Sequence, residues 1–133
     1  YYEAAREWDA DEAVEAASRQ LGWSVRYELP GDVPHMAGMP RPVDVHVVDR
    51  SGRPVTGLAG VFFAIRPADA RLNQSADLVE LPQAPGSYRT LVRLDAPGAW
   101  ELRIDVRQQA IRFVHAARFT VPDEPAAPEG ALR

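Results

Sequence analysis

Cysteine and lysine are both absent from this chain of 133 residues, and methionine occurs only twice. Without cysteine there is no thiol catalysis, no disulfide and no zinc or iron–sulfur site built on thiolates. The compartment stays open, because a cysteine-free chain suits an oxidising space without requiring one. Without lysine there is no Schiff base and no phosphate-loop lysine; the 15 basic residues are all arginine. A basic excess is missing too. The net charge is −4, which disfavours a general nucleic-acid binder. No apolar run reaches the roughly 18 residues of a membrane-spanning helix, and no signal peptide is visible. Gly-x-Ser-x-Gly, His-Glu-x-x-His and Gly-rich phosphate loops do not occur.

What is present reads as a globular domain. Apolar residues make up 46% and charged residues 26%, a balance that supports one core in a chain of this length. Residues 1–21 lack Gly and Pro. Ala10, Ala13, Val14, Ala17 and Leu21 recur at spacings of three and four, the apolar stripe of a helix. Trp8 and Ala5 fall off that stripe, so Asp9 or Asp11 is expected to cap a helix that starts there, and Gly22 to stop it.

From Trp23 the period changes to two. Strands are expected over residues 24–29, through Val43, Val45 and Val47, and over 60–66, which is apolar on both faces. A long polar loop is expected over 67–77. Strands resume with Leu78, Val79 and Leu81, then Tyr88, Thr90, Val92 and Leu94. Trp100, Leu102, Ile104 and Val106 alternate without error with Glu101, Arg103, Asp105 and Arg107. A last strand covers residues 111–121. About seven strands, with turn signals every 8–12 residues or so, predict an immunoglobulin-like antiparallel β-sandwich after an N-terminal α-helix. The organisation expected is residues 1–22 as the helix, 23–121 as the sandwich and 122–133 as a disordered tail. Trp100, Ile104, Phe63, Val92 and Val45 are expected in the core.

Chemistry is sparse. Asp44, Glu101 and Asp105 alternate with core residues and read as the solvated side of a sheet. Asp9, Asp11, Glu12 and Glu15 read as a solvated helix start. His115 falls in phase with core residues and is expected as a neutral ring bonded to backbone. His46 lies opposite Val45 and Val47, exposed or under a loop. One cluster has metal character. His35, Met36 and Met39 put an imidazole and two thioethers on one Gly/Pro loop, a soft set suited to Cu(I). Loop packing by methionine is the competing account.

Several short pieces fall in an order that carries a resemblance. They are Tyr1-Tyr2-Glu3-Ala4, Trp8-Asp9-Ala10, Leu21-Gly22-Trp23, Asp49-Arg50-Ser51-Gly52 with Pro54, Phe63-Ala64-Ile65-Arg66-Pro67, Gly86-Ser87-Tyr88 and Gly98-Ala99-Trp100. Together they resemble the FixH family from Tyr1 to about Val121. The resemblance implies a periplasmic β-domain on an N-terminal transmembrane anchor at the inner membrane. It implies a part in assembling the cbb-type haem–copper cytochrome oxidase, beside a cation-transporting ATPase. The chain opens on Tyr1 rather than Met, and the resemblance makes the expected upstream segment that anchor. Tyr1, Tyr2 and Trp8 then become candidates for membrane-proximal or partner contact. The family supplies no catalytic residue to carry over.

Two functional readings follow. In the first, the domain is a non-catalytic assembly factor with no cofactor, binding oxidase subunits or the ATPase, with a homodimer as a further option. In the second, it is a Cu(I) chaperone acting through His35, Met36 and Met39.

Overall fold

The computed structural model describes Trp8 and residues 10–30 and 39–122. The chain forms one helix, α1 (Glu12–Leu21), and seven strands: β1 (Ser24–Glu28), β2 (Arg41–Val48), β3 (Ala59–Ile65), β4 (Gln74–Glu80), β5 (Ser87–Val92), β6 (Gly98–Gln108) and β7 (Ile111–Val121). Every pairing is antiparallel. The order is β1-β2-β5-β4-β3-β6-β7. Split between β4 and β3, this is the four-plus-three strand order of an immunoglobulin constant-type sandwich. The two faces are not separate, because β4 pairs with β3 through Gln74–Leu78 and with β5 through Val79 and Glu80. One continuous sheet therefore curls into a near-barrel.

The core is the inward phase of the strands. Val43, Val45 and Val47 from β2, Tyr88 and Val92 from β5, and Trp100, Leu102, Ile104 and Val106 from β6 are almost fully buried. Tyr88 also anchors the crossing from β2 to β3. Its hydroxyl donates to the Val55 carbonyl at 2.7 Å and accepts from the Leu58 N–H at 3.1 Å. Glu80 accepts from the Gly57 N–H at 3.0 Å and the Gly86 N–H at 3.1 Å, tying that crossing to the Pro85-Gly86 turn. Gly60 lies so close to β6 that an added Cβ would sit 2.1 Å from the Asp105 carbonyl oxygen. A side chain there would force the β3–β6 pair apart.

Phe63 is buried as expected, but on the outer side of its strand. Trp8 meets it edge-on at 5.5 Å, which explains why residues 60–66 are apolar on both faces. The polar stretch 67–77 is not all loop: a 3₁₀ turn covers Ala70–Leu72, and β4 already starts at Gln74. Gln74 stands in for missing strand partners by accepting from the Arg93 N–H at 2.7 Å.

Thr90 faces the core at 3% exposure, and its hydroxyl has no hydrogen-bond partner among the described residues. Replacing it with Val removes a buried unpaired polar group at nearly constant size. Thr90→Val is expected to stabilise the chain by about 1 kcal/mol, read as a higher urea midpoint. A lower midpoint would show that the hydroxyl is satisfied.

Candidate functional site

The free edge of β7 is where the N-terminal segment meets the barrel. Asp11 caps α1, accepting from the Val14 N–H at 3.0 Å, and Gly22 ends it in the left-handed region at φ 75°. Gly22 is the expected stop, and of the two expected caps Asp11 is the one at the helix start, so that Trp8, Ala10 and Asp11 of the expected 1–22 helix lie outside it. The packed face agrees in part: Val14 and Leu21 turn inward as expected, but Ala13 and Ala17 are exposed and Ser18, off the expected stripe, is only 2% exposed. The reason is the strand edge: the Val114 N–H points away from β6 and donates to Ser18 Oγ at 3.0 Å. A serine supplies the acceptor that an edge amide lacks, at a cost in visible amphipathicity. Just ahead of α1, Trp8 is partly buried, with the Arg103 guanidinium 5.1 Å over its ring.

β1 and β7 flank the same seam but share no backbone hydrogen bond among the described residues. Side chains join them. Trp23 lies 4.9 Å from Phe113, and the Tyr27 hydroxyl is 3.0 Å from His115 Nδ1. The expected backbone partner of His115 is thus a tyrosine side chain. Burial drives the Tyr27 phenol far above its ordinary pKa and pulls the His115 imidazole below its own. The phenol therefore stays protonated beside a neutral ring, and the two share one hydrogen bond.

This pair gives a pH dependence. A folded-state pKa below the unfolded value means the contribution is complete above the ordinary imidazole pKa of 6.5 and is lost as pH falls through the folded value. Urea midpoints of the wild type are expected to decline from about pH 7 towards pH 5. His115→Gln keeps a hydrogen-bonding partner for Tyr27 without titrating, so it should flatten that slope. An equal slope in the variant would place the titration elsewhere.

The outer face of β1, β2 and β5 carries a second constellation, one that sequence reasoning missed. Ser87 Oγ lies 2.7 Å from His46 Nδ1, and His46 Nε2 lies 2.8 Å from Glu28 Oε1. The hydrogen bond from His46, aided by Arg26, holds the Glu28 carboxyl below the usual range. Serine, imidazole and carboxylate in line are the parts of a nucleophile–base relay. An acyl-transfer site also needs donors for an oxyanion. Two amides near this nucleophile are already used: Gly86 N–H donates to Glu80 at 3.1 Å and Ser87 N–H to the Ala84 carbonyl at 2.9 Å. The line stitches three strands together. The one sequence signal was that His46 and Ser87 both fall on the outward phase of their strands.

The outward carboxylates are paired rather than solvated. Asp44, 7% exposed, takes Arg89 in a bidentate contact at 2.7 and 3.0 Å. Asp105 takes Arg112 at 3.0 and 2.8 Å, and Glu101 takes Arg103 at 2.9 Å. Arginine's fork suits such pairs better than lysine's point charge. Of the proposed metal set, Met39 is 54% exposed, while His35 and Met36 lie outside the described residues. Tyr1, Tyr2 and Asp9 also lie outside them, as do residues 123–133 of the expected tail. Among the described residues no three His, Asp or Glu side chains gather as a metal site, and no helix is long and apolar enough to cross a membrane.

The family model described as FixH matches residues 1–120. The chain belongs to the FixH family. No curated protein matches it in sequence. The part of the chain that matches FixH takes in Trp8, α1, the seam and the Glu28–His46–Ser87 line together.

Proposed function

We propose that this FixH-family domain is a non-catalytic assembly factor for a cbb-type haem–copper cytochrome oxidase. It works in the periplasm at the inner membrane and acts by binding oxidase subunits or the neighbouring cation-transporting ATPase. The observation that carries this reading is the family match over residues 1–120. The geometry is compatible with it. The polar line at Ser87 has its adjacent amides engaged, and the outward carboxylates are engaged with arginines. Such groups give a rigid surface rather than a reactive one. Cross-linking in cells, followed by purification of the chain, should recover oxidase or ATPase subunits. Recovery of neither, with the chain at normal abundance, would contradict the proposal.

Copper handling through His35, Met36 and Met39 makes a separate demand. Met36→Leu with Met39→Leu keeps apolar volume and removes both thioethers. The assembly reading expects unchanged oxidase levels in this double variant at limiting copper. A copper-dependent loss would favour the chaperone reading instead.

A further inference from the structure

We infer that the open edge of β7 beside α1 binds an extended segment of a partner protein, in which an apolar residue is followed two positions later by an acidic one. The inference rests on the binding role proposed above and names its surface. The β6–β7 register runs unbroken from Gly98↔Val121 to Gln108↔Ile111. In a regular strand, alternate residues direct their backbone groups to the same side. Val114 directs its N–H away from β6 to Ser18. Ala116 and Arg118 therefore direct theirs the same way, along the part of the edge beyond Ser18. No strand pairs with that side of β7 among the described residues, since β7 ends the sheet and β1 meets it only through side chains. An unpaired edge is a template for strand addition.

The groove along this edge is built to take a side chain. A cavity of about 410 Å³ is lined by Trp8, Glu15, Arg19, Val114, His115 and Ala116. Val114 and Ala116 lie on the outer phase of β7 and, with Trp8, give the cavity its apolar lining. A strand added to β7 would aim one residue at this cavity. Its next residue on the same face would stand about 7 Å along, level with Arg118. Arg118 and Arg19 are both exposed and form no ion pair with a described residue. Glu15 is the single acid among the described residues of the lining. The unengaged Arg118 guanidinium therefore selects an acidic residue at that second position, while Arg19 offsets Glu15 in the cavity.

The test uses the 133-residue chain and a capped seven-residue peptide that alternates threonine and valine, with a glutamate two residues after the central valine. Amide spectra should show shifts at Ala116 and Arg118, with slowed hydrogen exchange on binding. A lysine in place of the glutamate should weaken binding about fivefold. Ala116→Pro removes the outward N–H, a change an edge strand tolerates, and should abolish binding. Arg118→Glu, at an exposed position, should keep the fold and reverse the preference towards the lysine peptide. No peptide binding, shifts confined to other residues, or unchanged binding by both variants would overturn the inference. So would the same amide shifts appearing with protein concentration alone, which would make the occupant a second copy. In cells, loss of oxidase on deleting the gene but normal oxidase with Ala116→Pro would overturn this surface and keep the assembly role. Normal oxidase in the deletion, with peptide binding intact, would do the reverse.

Discussion

Replacing Trp100 with Ala is expected to cost about 3–5 kcal/mol of folding stability, the largest loss from any single truncation in the core. Trp100 is fully buried and lies opposite Phe119 in the β6–β7 register. Its Nε1–H donates to the Ala96 carbonyl at 2.9 Å, which fixes the turn before β6. The Arg66 guanidinium sits 5.5 Å over the ring and donates from Nη1 to the Ala99 carbonyl at 3.0 Å. Truncation opens a cavity, frees the Ala96 carbonyl and removes the face on which Arg66 rests. Native domains are stable by only about 5–15 kcal/mol, so much of the margin would go. Urea unfolding followed by far-ultraviolet circular dichroism reads the effect. Trp100→Phe, which keeps a ring without the N–H, should fall between Ala and wild type. A loss within about 0.5 kcal/mol, the range of surface sites, would contradict the burial assigned to this position.

Arg89→Met is expected to cost about 3 kcal/mol, because it leaves a buried carboxylate without its partner. Asp44 is enclosed on β2 between Val43 and Val45, and Arg89 meets both of its oxygens. The desolvation of Asp44 is compensated only while those two hydrogen bonds exist. The double variant Asp44→Val with Arg89→Met removes the charge as well as its partner. It should recover most of the loss and return to within about 1 kcal/mol of wild type. Equal losses in single and double variants would show that Arg89 contributes through its other contacts rather than through Asp44.

The parts of the fold legible in the sequence were those where one face is apolar and the other charged. Trp100 to Arg107 alternates without error because β6 is flanked by β3 and β7 and its inner face is all core. The helix cap at Asp11 and stop at Gly22 were legible because each depends on one local residue. Legibility failed where a polar side chain replaces a backbone partner. Ser18 hides the packed face of α1 because it accepts from the Val114 N–H, 96 positions away. Gln74 hides the start of β4 for the same kind of reason.

The candidate sites were less legible still. Glu28, His46 and Ser87 are separated by 18 and 41 positions, and only the lateral order β1-β2-β5 aligns them. The carboxylates that read as solvated are paired because arginines two to 45 positions away reach them across or along the sheet. The seam between β1 and β7 was invisible for another reason. It exists because two strands fail to exchange hydrogen bonds, and no local pattern marks a pairing that does not form. Trp8, by contrast, stood out as an aromatic off the helical stripe, and the structure gives its contact as Phe63 and Arg103.

The most direct test of the assembly role is the amount of mature cbb-type oxidase in membranes of cells from which the gene has been deleted, measured by haem spectra and by the assembled complex on native gels. The account predicts a fall to a small fraction of the wild-type level with oxidase subunit transcripts unchanged, and recovery when the gene is restored. Wild-type amounts of spectrally normal oxidase in the deletion would contradict it.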